Sequence, residues 1–352
     1  MLNNLKKSGV LLLSIGLFST SQILAQPILD QKTYEQIGQQ IKQQQKDIEE
    51  KAKQYDQRRL ALEEQLKQMG EVAYLKNTPI LKQEYYALID IIAPIRQLPE
   101  DLYAGRDDVG RIRIKEKHVY FLELFNEGLT SLSPKIGELQ YLVYLNLSMN
   151  LGMGPVPKEI GNLINVEELC LSDTGAKVLP EEIGNCKKLK KFYVSRNRVV
   201  LPKSLQNLKD LEVLYAVGAQ IPSLENIPSS KLKELVLTSS SLNSLIGIGN
   251  FRELERGYFA GTKVKSVPTE IKNCTKVKFL DLSYTEIDIL QEEIGHIDSL
   301  EVVYAIGNNL NSLPKSFINA RNLEAVLCFE GNNIPPDDPV VKALLAKGIR
   351  VI

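Results

Sequence analysis

The chain is organised by a leucine-rich segment that recurs ten times between residues 119 and 334. Each copy opens on an L-x-x-L-x-L pattern whose apolar positions hold mostly Leu, Val, Phe or Ala. Successive copies begin 21 to 24 residues apart, at Val119, Leu142, Val166, Leu189, Leu211, Leu232, Leu254, Val277, Leu300 and Leu323. A period of this length predicts a solenoid, because one such segment cannot bury its own leucines and must stack on its neighbours.

The internal pattern of the segment predicts the fold class. Each L-x-L stretch predicts a short strand, and the residues after it predict a turn and an irregular return. Stacked copies align their strands in one parallel sheet, and the bulkier returns on the other side curve it. We therefore predict an α/β solenoid, a curved horseshoe with a parallel concave sheet of about ten strands, preceded by a long helix or coiled coil.

The segments resemble the typical 23-residue class of leucine-rich repeat found in secreted bacterial proteins, with the consensus LxxLxLxxNxLxxLPxxIxxLxx. Segment four matches it at Leu189, Phe192, Val194, Asn197 and the Leu201-Pro202 step. In this family the Asn bonds backbone groups at the bend after the strand. The resemblance implies that role for Asn150, Asn197 and Asn308, and part of it for Thr174, Ser240, Thr262 and Thr285.

Two kinds of departure from the consensus stand out. Glu127 and Ala219 replace the bend Asn, which predicts less local order there. Segments five and six lack the Leu-Pro-x-x-Ile-Gly stretch, and segment seven has Gly257 where a core Leu belongs, with Phe259 placed to fill the gap. Segments five to seven have two interpretations, drift in a tolerant array or a local ligand contact.

Residues 1–25 have the composition of a cleaved secretory signal. Lys6 and Lys7 precede a largely apolar run from Val10 to Phe18, and Ala25 offers a small residue for cleavage. The alternative is an uncleaved anchor, but the uncharged stretch is shorter than the ~20 apolar residues of a spanning helix. We predict a secreted or periplasmic protein with no stable membrane span after signal removal.

Residues 26–77 are rich in Gln, Lys and Glu and predict a helix. From Ile41 onward, apolar residues fall on a seven-residue frame, with Gln45 and Arg59 as polar breaks. This narrow seam favours a coiled coil and, through residues 34–69, a homo-oligomer. A single helix docked on its own repeat domain and a partly disordered stalk are the alternatives.

The open ends of a solenoid need caps. We assign residues 78–118 to the N-terminal cap, with a helix beginning at Thr78-Pro79 and ending at Pro94. The alternation at Arg111 to Lys115 predicts an edge strand. Residues 335–352 form the C-terminal cap, with a helix from Asp338-Pro339 and a last strand.

Composition and spacing argue against catalysis and against metal, cofactor and nucleic-acid binding. The chain has 43 basic and 43 acidic residues, so it lacks the net positive charge of a nucleic-acid binder. Its four cysteines have no ligand spacing, and we expect four unpaired, buried thiols. His118 and His296 are predicted to be surface residues, because no second His, Cys nucleophile or carboxylate is placed to partner either of them. Gly247-x-Gly249 predicts a turn, because no Lys follows in frame.

The candidate binding site follows from strand alternation. The third, fifth and seventh residues of each segment point away from the core, and aromatic residues recur there. We predict a partner-binding set consisting of Phe121, Phe125, Tyr144, Tyr193, Tyr215, Tyr258, Phe279 and Tyr304. Clustered aromatics are typical of protein-binding hot spots, although a ladder that only stabilises the sheet is an equal alternative.

These observations predict a secreted, non-enzymatic protein that binds a protein or peptide partner on the concave face. The alternative is an oligomeric structural or adhesive scaffold assembled through the N-terminal helix.

Overall fold

The computed structural model describes residues 31–103 and 111–352, and their side chains from residue 39 onward. The predicted signal segment, residues 1–25, lies outside this range. The chain divides into two compact units, residues 1–60 and residues 61–352. No helix among the described residues is both long enough and apolar enough to cross a bilayer.

Helix α1 (Gln31–Gln68) begins in the first unit and ends in the second. The predicted N-terminal helix is therefore confirmed, but it stops nine residues before residue 77. Its last turns, at Leu62 and Leu66, pack against the core of the second unit. Farther back in the first unit, the seam residue Ile48 is 58% exposed. The coiled coil stays a prediction.

The N-terminal cap starts with a hairpin. Strands β1 (Val72–Leu75) and β2 (Thr78–Leu81) pair antiparallel, and helix α2 (Lys82–Ile92) follows. The predicted helix start at Thr78-Pro79 is wrong, because both residues lie in β2. Pro79 is tolerated in this two-stranded sheet, where a proline costs no central ladder bond. Pro94 lies in a short 3₁₀ turn directly after α2, as the predicted stop requires. A one-turn helix, α3 (Pro99–Leu102), follows.

The second unit is built around a sheet of twelve strands in sequential order. The strands are β3 (Ile112–Lys115), β4 (His118–Glu123), β5 (Tyr144–Asn146), β6 (Glu168–Cys170), β7 (Lys191–Tyr193), β8 (Val213–Tyr215), β9 (Glu234–Val236), β10 (Arg256–Tyr258), β11 (Phe279–Asp281), β12 (Val302–Tyr304), β13 (Ala325–Leu327) and β14 (Arg350–Val351). Strands β4 to β14 run parallel, and β3 lies antiparallel to β4 as the predicted edge strand.

The returns carry short 3₁₀ helices that stack on one another. They span Pro134–Glu138, Lys158–Asn162, Glu181–Asn185, Lys203–Asn207, Ile248–Asn250, Thr269–Asn273, Glu292–His296 and Lys315–Asn319. Several carry a glycine that lies against the next repeat: a Cβ on Gly161 would sit 2.4 Å from the carbonyl oxygen of Glu182. In the described return of segment five no such helix forms, and the chain from Ala216 to Lys233 connects β8 and β9 directly.

The core is continuous from the cap to the last repeat. Phe259 is fully buried, and its ring lies 2.8 Å from the point where a Cβ of Gly257 would be, so the two residues compensate each other as expected. The four cysteines are free and buried. At the C-terminal end, Asp338 caps helix α4 (Pro339–Ala346) by accepting from the amides of Val340 and Val341 at 2.8 and 3.1 Å.

Where a segment keeps the consensus Asn, its side chain holds the bend after the strand in the way that the resemblance implies. Asn197 accepts from the amides of Thr174 and Gly175 at 2.8 and 3.0 Å and donates to the carbonyls of Leu171 and Val194 at 2.6 and 3.2 Å. Equivalent bonds surround Asn150 and Asn308.

Threonine does part of the same work. Thr174, Thr262 and Thr285 each donate their hydroxyl to the carbonyl three residues earlier. Ser240 differs, because its hydroxyl accepts weakly from the amide of Leu242 at 3.4 Å.

Candidate concave-face site

The concave face carries the side chains of the third, fifth and seventh residues of each segment, and each of these positions forms a column across the strands. Register pairing places the fifth residues of successive segments side by side, in the order Glu123, Asn146, Cys170, Tyr193, Tyr215, Val236, Tyr258, Asp281, Tyr304 and Leu327. The third residues pair in the same way, from Phe121 through Tyr144 and Phe279 to Ala325. Because the strands lie ~4.8 Å apart, neighbours in a column are within contact range.

Seven of the eight predicted aromatic residues form three groups on this face. The N-terminal pair is Phe121 and Tyr144, whose rings stack at 4.4 Å with 6° between their planes. The central pair is Tyr193 and Tyr215, tilted at 5.2 Å. The C-terminal cluster is Tyr258, Phe279 and Tyr304, with centroid distances of 4.9 and 5.0 Å.

The exposure of these residues is compatible with both interpretations of the aromatic column. All seven are half-buried, so each ring packs on a neighbour and still presents part of its surface to solvent. Phe125 follows the end of β4, is 48% exposed and belongs to none of the three groups. The structure thus brings together every predicted aromatic except Phe125.

The central pair is tied to a charged group on the neighbouring strands. The hydroxyl of Tyr215 donates to Glu234 at 2.6 Å, and Arg256 donates to the other oxygen of Glu234 at 3.1 Å. Burial and the Glu234 carboxylate raise the pKa of Tyr215 above its ordinary value. The phenol therefore stays protonated at neutral pH, with its proton committed to Glu234.

The N-terminal pair is covered by a cation of the chain itself. The guanidinium of Arg113, on β3, lies 3.9 Å above the ring of Phe121. Beside this pair, Asn146 donates to Glu123 at 3.0 Å and to the Tyr144 hydroxyl at 3.3 Å. Burial raises the pKa of Tyr144 to about 12.

Cys170 follows Asn146 in the fifth column. Burial raises the pKa of its thiol to about 12. Because the thiolate is the reactive form, Cys170 is a poor nucleophile at neutral pH.

Comparison with known proteins agrees with the repeat fold. The family described as a leucine-rich repeat region matches residues 118–245. A solved leucine-rich repeat protein of Leptospira interrogans is 25% identical over 66% of this chain and 65% of its own, with a TM-score of 0.53. The chain is built of leucine-rich repeats.

Other proteins match this chain over part of their length. The plant peptide hormone receptor RGFR1, solved in complex with RGF2, is 25% identical over 63% of this chain and 37% of its own, with a TM-score of 0.52. An adenylate cyclase of Schizosaccharomyces pombe is 28% identical over 55% of this chain but only 12% of the cyclase. The chain spans 12% to 14% of the length of the first curated relatives that it matches.

One predicted surface residue has a partner that the repeat pattern does not reveal. His118 was expected to lack a carboxylate partner, and that prediction is wrong. Its Nδ1 lies 2.7 Å from the carboxylate of Glu84, which α2 buries against the first repeat. Glu84 also accepts from the amide of Val119 at 2.6 Å, and Tyr141 stacks on the imidazole at 3.5 Å. The contact spans 34 residues in sequence, so no local spacing predicts it.

The Glu84–His118 contact joins helix α2 of the cap to strand β4 of the first repeat. Burial raises the pKa of Glu84 despite the hydrogen bonds that oppose this shift. A cavity of about 510 Å³ adjoins the pair and is lined also by Lys135 and Glu138, but none of the described Ser, Thr or Cys side chains lines it. Among the residues described, no three metal-ligating side chains come together. His296 is exposed at the end of a 3₁₀ helix, as predicted.

A column of charged side chains along one edge of the sheet is a second feature that was not predicted from the sequence. The second residue of seven successive repeats alternates in sign, in the order Glu167, Lys190, Glu212, Lys233, Glu255, Lys278 and Glu301. Ion pairs join Lys190 to Glu167 at 2.7 Å and Lys233 to Glu212 at 2.8 Å. Such exposed pairs contribute ~0–1 kcal/mol each. The alternation is visible in the sequence once the copies are aligned, and it leaves these four acidic and three basic residues with a net charge of −1.

Proposed function

We propose that this leucine-rich repeat protein is a non-enzymatic binding protein that recognises a protein or peptide partner on its concave face. The observation that carries the proposal is the set of three aromatic groups on one continuous surface. Half-exposed Tyr and Phe supply large contact areas at little cost in side-chain entropy, and they are enriched in interface hot spots.

The comparisons support a binding role of this kind. RGFR1, whose solved structure shares this fold, is solved in complex with RGF2. The match to the adenylate cyclase supports no catalytic role, since it covers 12% of that protein. We also infer export to the periplasm or the extracellular medium, on the composition of residues 1–25.

The test combines two concave-face substitutions, Tyr215→Ala and Tyr258→Ala. Proteins captured from the native extracellular medium by the wild-type chain are quantified by mass spectrometry, and the affinity of each captured partner is then measured. We expect the double variant to lose about tenfold or more in affinity, as hot-spot truncations do. Unchanged affinity would show that the partner binds elsewhere.

The matched control is Tyr74→Ala. Tyr74 lies on the cap hairpin, away from the concave columns, and is 58% exposed. We expect this variant to bind like the wild type. Melting temperatures of all three proteins, followed by circular dichroism, separate a lost contact from a lost fold.

A second candidate function is an oligomeric scaffold assembled through α1. It is favoured by the length of this helix, 38 residues, and by the exposure of Ile48 on the predicted seam. A solvated apolar residue in the middle of a heptad frame is what a partner helix would cover.

A further inference from the structure

The C-terminal cluster surrounds a carboxylate. In the register of the sheet, Asp281 stands between Tyr258 and Tyr304 in the fifth column, and Phe279 precedes it by two residues on the same strand and the same face. One oxygen of Asp281 accepts from the amide of Ser283 at 3.0 Å. The Ser283 hydroxyl is buried beside it and has no hydrogen-bond partner among the described residues.

The chain does not neutralise this carboxylate with a cation of its own. Within the described residues, Asp281 forms no ion pair. The nearest cation in the third column, Arg256, is held by Glu234 at 3.1 Å on the opposite side. At the sheet edge, Lys278 lies 3.9 Å from Glu301.

At the other end of the face, the aromatic rings of the N-terminal pair have a cation of the chain beside them. There, Arg113 lies over the ring of Phe121 at 3.9 Å and supplies the positive charge. The aromatic rings at the two ends are alike, but at the C-terminal end three rings and a carboxylate face solvent without a resident cation. Aromatic faces attract cations through their quadrupole, and a neighbouring carboxylate adds to that attraction.

We propose that Tyr258, Phe279, Asp281 and Tyr304 form a subsite for a cationic side chain of the partner, the guanidinium of an arginine in an extended peptide. The planar guanidinium stacks on aromatic rings while its N–H groups reach a carboxylate, which a compact ammonium does less well. This inference rests on the proposed function and adds the chemistry of the residue that the face selects.

The probe for the test is Nα-acetyl-arginine amide, compared with Nα-acetyl-citrulline amide, its neutral isostere. Both are titrated into the full chain and followed by saturation-transfer NMR. We expect the arginine probe to bind about tenfold more tightly than the citrulline probe, with the difference shrinking as salt rises. Equal binding of the two probes would overturn the subsite.

Two variants locate the preference. Asp281→Asn keeps an oxygen for the Ser283 amide and removes the charge, so we expect it to fold normally and to lower the preference for arginine to about twofold or less. Asp288→Asn is the matched control, since Asp288 is exposed and lies outside the concave columns. A preference that survives Asp281→Asn would place the cation elsewhere and overturn the proposal.

The outcomes separate this inference from the proposed function. Suppose that the Tyr215→Ala and Tyr258→Ala variant loses partner binding, whereas Asp281→Asn leaves the preference for arginine unchanged. The binding function then stands and the subsite is wrong. Suppose instead that Asp281→Asn abolishes the preference for arginine, whereas the double tyrosine variant binds the partner as tightly as the wild type. The cation subsite then stands and the proposed function is wrong. Phe279→Leu provides a second test, because it removes one aromatic ring without changing the charge. We expect it to lower the affinity for the arginine probe and to leave the affinity for the citrulline probe unchanged.

Discussion

Asn197 connects the backbone of two repeats from a buried position. Its amide group forms four hydrogen bonds to main-chain groups of segments three and four. Asn197→Ala leaves those groups without partners, and each buried polar group left unpaired costs about 1–3 kcal/mol. We predict that Asn197→Ala lowers the free energy of unfolding by about 3 kcal/mol, measured by urea denaturation. Asn197→Thr should fall between, because Thr174 shows that a hydroxyl satisfies one carbonyl at this position.

The control for Asn197 is Asn311→Ala. Asn311 is exposed and makes one weak contact at 3.5 Å, so its loss should change stability by less than about 0.5 kcal/mol. Equal effects at the two sites would contradict the role of the bend Asn. Sequence alone predicts this role for Asn197 because the consensus places it. It misses Asn332, which donates to Ala305 and Cys328 at 2.7 Å, because the tenth segment carries its Asn one position late.

The stacked 3₁₀ helices are the elements whose spacing a single methyl group would disturb. A Cβ on Gly161 would lie 2.4 Å from the Glu182 carbonyl oxygen and 2.7 Å from the Glu182 Cβ. The backbone cannot move away from this contact as easily as the end of a flexible side chain can. We predict that Gly161→Ala destabilises the protein by about 1–3 kcal/mol, measured by thermal and urea unfolding, as overpacked cores do.

Gly152→Ala is the matched control for the element scale. Gly152 is exposed, and only the Leu129 carbonyl oxygen comes within 4.0 Å of its added Cβ. That substitution should be neutral or slightly stabilising, because it reduces the entropy of the unfolded chain. Similar losses at both glycines would mean that close packing of the returns is not the cause.

Periodicity predicts the strands and their register because every copy repeats the same burial pattern. It does not predict the 3₁₀ helices or the hairpin at Val72–Leu81, which occur between or outside the periodic positions. Thr78-Pro79 illustrates the limit. The same pair of residues is compatible with a helix start and with an edge strand. The strand forms because β1 and β2 pair through Ala73 and Ile80, which are both fully buried.

At the scale of the whole molecule, α1 determines whether the chain assembles into an oligomer under the scaffold hypothesis. The second unit already uses Leu62 and Leu66 in its own core, and Tyr55 is buried as well, whereas the earlier seam residue Ile48 is exposed and available to another helix. If the scaffold function is right, the mature chain sediments as an oligomer, and Ile48→Glu shifts it to the monomer mass by placing a charge in the apolar seam.

Gln57→Glu gives the control, since Gln57 is exposed and lies on the outer face of the same heptad frame. It adds the same charge to α1 and should leave the oligomer intact, because outside the seam that charge stays in water. A monomeric wild-type chain at every concentration would remove the scaffold and leave α1 as a helix docked through its last turns. In that case the concave face alone would have to account for binding, and the affinity lost in the Tyr215→Ala and Tyr258→Ala variant would measure its whole contribution.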